Sequence, residues 1–378
     1  MRFASGLFAV ALTGFVCIGF AAHADDVAHA SDATTSSNTA SDQMNALLKD
    51  SIFIAESKAY GHAVFDALAA SQDPHDWMLA SILHWYGPAS AERTTALNLL
   101  KRAAEALPDD ANAQWLAMQE CNLAKQPAEC DSTTTTLERI EPDNSAVWLK
   151  ALNHAAVERD AVGVDVALEH MASGTRFDDH LVGLQKPMTT AFQRFTAPPE
   201  LAVKLLRINP EFSANKLMRS IAITATMAVA LPAYQHLVRA CTIDPERGLH
   251  VERATNCAKI GRLLSLQGSD LVSNEIGYAI LRVSHTWNDA DVQAARELDW
   301  LRTGAPKADG TGSDVLGIRH WEDWMTAGTE SGALRVAMTR AGMPTTPPAN
   351  WVDARSPFSD ERLAEDRRYA ADRAKNPF

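Results

Sequence analysis

Positive charge is short in this sequence relative to negative. It sets 35 Lys and Arg against 47 Asp and Glu, a formal net charge of −12 over 378 residues, and interleaves the basic residues with acids. A protein that binds phosphate backbones gains affinity when clustered Lys and Arg release counterions. Nucleic acid is therefore excluded as a partner, and a solvated acidic surface is expected. Catalytic signatures are missing too. There is no H-E-x-x-H, no G-x-S-x-G and no G-x-x-x-x-G-K-[ST], which removes the metalloprotease helix, the nucleophile elbow and the phosphate loop. Gly310-Thr311-Gly312-Ser313-Asp314 lacks the third glycine and the preceding strand of a dinucleotide site, and reads as a loop with Ser313 capping the next helix. No cofactor is implied. Beyond residue 43 no alternating apolar and polar run of useful length occurs, so β-structure is without its signal.

What is present begins with an export signal. Arg2 precedes an apolar run from Phe3 to Ala22 that closes on Ala22-His23-Ala24, the small-x-small pattern of a cleavage site. Residues 1–24 are expected to be removed, leaving Asp25 first and a net charge of −13, because Arg2 is the one charged residue lost. An uncleaved anchor is the competing reading, since roughly 20 apolar residues can span a bilayer. Val16 before Cys17 disfavours a lipoprotein. The expected location is periplasmic or secreted, with no membrane span once the signal is gone.

Of five cysteines, Cys17 leaves with the signal. Cys121, Cys130, Cys241 and Cys257 remain, and an even number in an exported chain suggests disulfides. Their grouping favours 121–130 and 241–257. Neither pair has the short gap of a zinc knuckle, and no metal is expected.

Residues 25–42, DDVAHASDATTSSNTASD, have almost nothing to bury and read as a disordered spacer. From Gln43 apolar residues recur at intervals of three and four, with Met44, Leu47, Leu48, Ile52, Ile54 and Ala55 forming the stripe of an amphipathic helix. A longer period follows. Pro74, Pro108 and Pro142 are 34 residues apart, position 176 is Arg176, and the spacing returns at Pro210 and, one residue late, at Pro245. Asp, Glu or Asn surrounds each proline, and the proline-less copy keeps Phe177-Asp178-Asp179. Proline stops one helix and Asp or Asn caps the next, so these are turns between helices at a fixed interval.

A 34-residue period of paired helices is that of the tetratricopeptide repeat. TTALNLLKRAAEALPDD resembles its second helix, with Ala96, Leu100, Ala103 and Pro108 in the spacing A-x3-[FL]-x2-A-x4-P. The same stretch resembles the related Sel1-type repeat. Trp115 and Trp148 lie near the aromatic position of the first helix, whereas Leu83 and His84 replace its Leu-Gly pair and CDSTTTTLERI is a poor second helix. The resemblance covers about Asp73 to Met171 and continues as spacing alone to Pro245. It implies an all-α chain in which residues 43–245 form a right-handed superhelix of antiparallel helix pairs. Helices without a repeat signature are expected over 246–342, at Leu249–Leu266, Asp270–Val283, Ala290–Arg302, Asp314–Ala327 and Gly332–Ala341, with a Gly-rich loop from Gly304 to Gly312. A Pro-rich and then charged tail occupies 343–378. The apolar run Ile221–Leu231 is too short to span a bilayer and runs into Pro232, so it reads as a buried helix.

Members of this family hold peptides on the concave face lined by first helices. The resemblance places Asn112, Gln119, Asn122 and Asn153 toward that groove, where amides offer both donor and acceptor. A surface with no ligand is the alternative for these four. The Lys or Arg that would clamp a terminal carboxylate is missing. A protein or peptide partner in the cell envelope is thus the expected ligand of a non-catalytic module. The alternative function is an all-helical carbohydrate-active enzyme of the α/α-toroid type, resting on His320-Trp321-Glu322-Asp323-Trp324. Paired carboxylates beside aromatic platforms suit glycoside chemistry, but adjacent Glu322 and Asp323 point about 100° apart on a helix. The tryptophans at 77, 85, 115 and 148 are expected to pack, and the scattered histidines to be ordinary core or surface residues.

Overall fold

The computed structural model describes residues 46–47, 49–83, 91–124, 127–208, 226, 232–243, 250–308, 318–351, 358–359 and 364. The signal, the spacer, Pro210, Pro245, His84, Trp85 and, apart from Thr226, the apolar run 221–231 lie outside them. Among the described residues there are fifteen α-helices and no strand, so the chain is all-α. They are α1 Ser51–Ala69, α2 Pro74–Ile82, α3 Ala91–Ala106, α4 Ala111–Ala124, α5 Pro127–Ile140, α6 Leu149–Val157, α7 Ala161–Ser173 and α8 Leu181–Phe192. The remainder are α9 Pro199–Ile208, α10 Gln235–Cys241, α11 Val251–Gln267, α12 Leu271–Val283, α13 Asp289–Ala308, α14 Ile318–Ala327 and α15 Glu330–Arg340. None is long and apolar enough to cross a membrane. Two compact units, each discontinuous in sequence, share these helices: Met1–Glu120, Gly183–Ala230 and Gly310–Trp321 make unit 1, and Cys121–Val182, Leu231–Asp309 and Glu322–Phe378 make unit 2.

In unit 1, α1 packs on α2 and α2 on α3. Ala96, Leu100 and Ala103 are buried, as the spacing of small residues requires, and Trp115 is wholly enclosed. Trp77 donates its indole N–H to the Ser71 carbonyl at 2.7 Å, with the Arg102 guanidinium 4.1 Å over its ring. Arg194 makes a two-pronged contact with Asp76, whose carboxylate is almost fully enclosed. Burial would raise the Asp76 pKa, but the hydrogen bonds from Arg194 and Ser71 hold it below its ordinary value.

Of the stripe drawn from Met44 to Ala55, Met44 and Leu48 lie outside the described residues, and Ile52, Ile54 and Ala55 do not face inward. Asp50 accepts from the amides of Ile52 and Phe53 and starts α1 afresh at Ser51. Phe53 then faces inward with Tyr60, Val64, Phe65 and Leu68, while Ile52 and Ile54 are 61% and 49% exposed. The helix takes its phase from the side-chain cap at Asp50, so the inward face is set by the residues that follow it.

At the described positions of the proline lattice, 74, 108 and 142, there are turns, but they are not equivalent. Pro74 is the first residue of α2, capped by Asp73, so here proline opens a helix where the spacing predicts a stop. Pro108 and Pro142 follow the ends of α3 and α5, and the caps are Asp110 and Asn144. The 34-residue register is therefore carried by Asp110, Asn144 and Asp178, not by the first proline. In unit 2 two of these turns meet directly. The Asn144 side chain donates to the Asp178 carbonyl at 2.8 Å and accepts from the Asp178 amide at 3.0 Å, across a sequence separation of 34.

Unit 2 is built from hairpins. The pair α6 and α7 packs through Gly163, where an added Cβ would lie 3.0 Å from that of Ala155. Helix α7 also packs on α11, and α11 on α12. The last pair approaches backbone to backbone, since a Cβ at Gly277 would stand 2.3 Å from the Ser265 nitrogen and 2.6 Å from the Gly261 oxygen. Cys241 at the end of α10 is bridged to Cys257 in α11, with Cα atoms 5.7 Å apart.

Helix α13 continues past Gly304 to Ala308, where a Gly-rich loop is expected to begin. Its partner explains this: Leu301 and Ala305 are buried with Leu334, Ala337 and Met338, and a Cβ at Gly304 would meet the Met338 sulfur at 2.6 Å. Part of the Pro-rich stretch is pinned to the same helix. Arg296 donates to the carbonyls of Pro348, Ala349 and Trp351, and the Trp300 indole donates to that of Pro344.

Candidate functional site

Along the seam of α6 and α7 the side chains are unusually small. Ala151 and Ala155 on one helix face Gly163 and Ala167 on the other, leaving a shallow groove of about 490 Å³. Trp148, Val166, His154, Glu158 and Asp160 complete its lining. Helical spacing puts Ala151 and Ala155 on one face of α6 and Gly163 and Ala167 on one face of α7; Trp148 and Glu158 flank the two ends of α6, and Asp160 is the cap of α7. At one end the Trp148 ring stacks on His170, with centroids 3.9 Å apart and planes within 7°. Nearby Glu138 has its pKa raised by burial, opposed by the charges of His170 and Lys150. At the other end lies the tight turn from Val157 to Ala161. Arg159 sits there at φ 59°, Asp160 caps the Gly163 amide, and Glu158 is exposed. Val157, Val162 and Val166 stand 64%, 73% and 47% exposed beside it. The groove has an apolar floor, an aromatic wall and an acidic rim.

Behind this hairpin the 141–144 and 176–180 turns are locked by charge. Glu141 meets Arg176 at 2.8 Å, His180 at 2.9 Å and the Asn144 amide at 2.9 Å. Arg176 also reaches Asp143 and Asp178. Burial alone would raise the Glu141 pKa. The hydrogen bond and charge of His180, then Asn144 and Arg176, outweigh it and bring the carboxyl down to about 2. His180 is held at φ 59° and is nearly buried. This cluster joins one turn of the period to the next and leaves little of Glu141 open to a ligand.

The four amides named from the repeat resemblance are not brought together as one exposed row. Asn112 is half-buried, its oxygen 2.4 Å from where a Cβ of Gly183 would sit, so it fills the close approach of α4 and α8 within unit 1. Gln119 is half-buried in the same unit. Asn153, in unit 2, is half-buried and donates to the Ala233 carbonyl at 3.2 Å. The side chain of Asn122 lies outside the described residues, as do those of Cys121 and Cys130.

The acidic pair of α14 is split. Glu322 is exposed, whereas both oxygens of Asp323 are taken by Arg340 of α15. Trp324 is fully buried, while His320 and Trp321 lie edge to face with centroids 6.0 Å apart. Two carboxylates converging on one reacting bond are not formed there. Among the described residues no group of three or more His, Cys, Asp or Glu is placed to hold a metal ion.

No family model, curated protein or solved structure matches the chain. The likeness to tetratricopeptide repeats rests on the period and its turns. Sequence reasoning passed over the α6–α7 groove because alanine and glycine signal close packing, and the space they leave on the outer side of a hairpin has no sequence signature. That the valines at 157, 162 and 166 are exposed is itself visible only in the structure.

Proposed function

We propose that the protein is a non-catalytic binding module of the cell envelope, and that the α6–α7 groove holds a short peptide segment carrying apolar side chains and a cation. The groove itself carries this reading: about 490 Å³, in the range of ligand sites, with an apolar floor and Glu158 and Asp160 on its rim. An acidic rim favours a cationic partner in rate and register, and the overall charge of −12 acts in the same direction. The partner is an envelope protein. The Cys241–Cys257 disulfide accords with an oxidising compartment, and so with export by the N-terminal signal to the periplasm or beyond the cell. The direct contact between turns 34 residues apart supports a right-handed superhelix of tetratricopeptide type as the arrangement of the repeat region.

The test is fluorescence anisotropy with labelled peptides rich in Leu and Val, one set bearing Lys or Arg and a matched set bearing Glu. The cationic set should bind and the acidic set should not. Ala151→Trp, which fills the groove from a half-exposed position, should abolish binding while leaving the thermal midpoint unchanged. Glu158→Lys should reverse the charge preference. Cationic peptides that bind both variants as they bind the parent would remove the groove from the proposal, and turnover of a polysaccharide dependent on Glu322 would replace it with the enzyme reading.

A further inference from the structure

Two carboxylates are buried against each other in unit 2. Asp179 is 0% and Asp270 1% exposed, and the Ser269 hydroxyl stands between them. Its oxygen lies 2.6 Å from Asp179 Oδ1 and 3.2 Å from Asp270 Oδ2. Asp270 Oδ2 also accepts from the Ser273 hydroxyl at 2.7 Å, and Oδ1 caps the Ser273 amide at 2.8 Å. Asp179 Oδ1 takes the Leu181 amide at 3.2 Å, while Oδ2 is buried with no partner. The Tyr234 hydroxyl lies 2.9 Å from Ser273 Oγ.

Counting protons decides the arrangement. Ser273 spends its single hydrogen on Asp270, so Tyr234 must donate to Ser273. Ser269 likewise has one hydrogen and two carboxylates in reach. If both were ionised, two like charges would face each other across one hydroxyl in a fully buried site. One added proton resolves the conflict. Asp179 Oδ1–H donates to Ser269, Ser269 donates to Asp270, and the chain Asp179, Ser269, Asp270, Ser273, Tyr234 closes with a single negative charge. The unpartnered Oδ2 is then the oxygen of a neutral acid, which costs far less to bury than half of a carboxylate.

We propose that Asp179 holds a proton in the folded protein, and that this proton is a pH-sensitive latch joining the 176–180 turn to the start of α12. Burial first and the charge of Asp270 second raise the Asp179 pKa to about 7, with the Ser269 and Leu181 hydrogen bonds acting the other way. The surrounding groups add no relief. Asp178 bears the same charge, Arg176 is engaged with Glu141, Asp143 and Asp178, and His180 with Glu141. From α15, Glu330 brings a further carboxylate that caps the Leu271 amide. A folded pKa above the unfolded value of 3.8 means stability present below that value and lost as pH rises through about 7. The latch is closed in mild acid and released toward alkaline pH.

Thermal unfolding of the full chain from about pH 5 to about pH 8, spanning the pKa of about 7, compares the parent with Asp179→Asn, whose amide donates to Ser269 without a proton to lose. The variant's midpoint should rise relative to the parent as pH increases, and exceed it at the alkaline end. A difference independent of pH, or one that shrinks, overturns the latch. Infrared spectra of the parent labelled at its Asp carboxyls give a second readout should the variant not fold. A protonated carboxyl band present at the acidic end and gone at the alkaline end is expected, and its absence throughout the range overturns the proposal equally.

Discussion

Glu141 shows how much one side chain can carry. It receives Arg176, His180 and Asn144 at once, and these partners lower its pKa from 4.5 to about 2. The stability this represents is present above 4.5 and lost as pH falls toward 2, the opposite sense to Asp179. Glu141→Gln keeps the shape and removes the charge. It should cost about 2–3 kcal/mol at neutral pH and flatten the acid limb of the thermal midpoint between about pH 4.5 and 2, as read by circular dichroism at a series of pH values. An acid limb as steep as the parent's would assign that sensitivity to other carboxylates, with Asp76 in unit 1 the first to examine. No residue pattern announces this cluster. Glu141, Arg176 and His180 are scattered along 39 positions of the chain, and only the folding of two turns against each other makes them neighbours.

At the scale of the element, the legible features were those with a local cause. Asp110 and Asn144, beside the prolines of the lattice, and Asp270 cap helices by bonds to amides two or three residues away, and so show in the sequence as Asp or Asn before a helix; Asp50, Asp73 and Asp160 do the same without having been read there. Ala96 and Ala103 are a second case, since small residues at helical spacing mark where helices touch. Ala103 is 0% exposed, and Ala103→Leu should overpack the contact and lower stability by about 1–3 kcal/mol. An unchanged midpoint in thermal melts would show that α3 can rotate or shift to admit the larger side chain. The phase of α1 and the length of α13 were not legible. The first is set by the cap at Asp50, and the second is sustained by Met338 and its neighbours on a helix some thirty positions later.

For the whole molecule, the disulfide is a covalent link between α10 and α11. Cys241 and Cys257 are 16 residues apart, and a loop of that size contributes about 3 kcal/mol in the chain-entropy account. Reduction, or the paired change of both to Ser, should lower the thermal midpoint accordingly. Non-reducing peptide mapping of the protein should recover the 241–257 bridge and, on the sequence expectation, a 121–130 bridge; free thiols at Cys121 and Cys130 would refute the latter. By itself the sequence determined that the described chain is helical, where many of its helices begin, and which small residues lie between them. These depend on capping, period and side-chain volume within a turn or two. Tertiary structure alone decided that Asp179 and Asp270 are buried on either side of one hydroxyl, that Glu322 and Asp323 part company, that Asn112 and Asn153 are turned to internal contacts, and that α6 and α7 leave a groove. Each of these is a meeting of residues brought close by packing, and a charge or a gap acquires its energy only from the neighbours and the solvent that packing assigns to it.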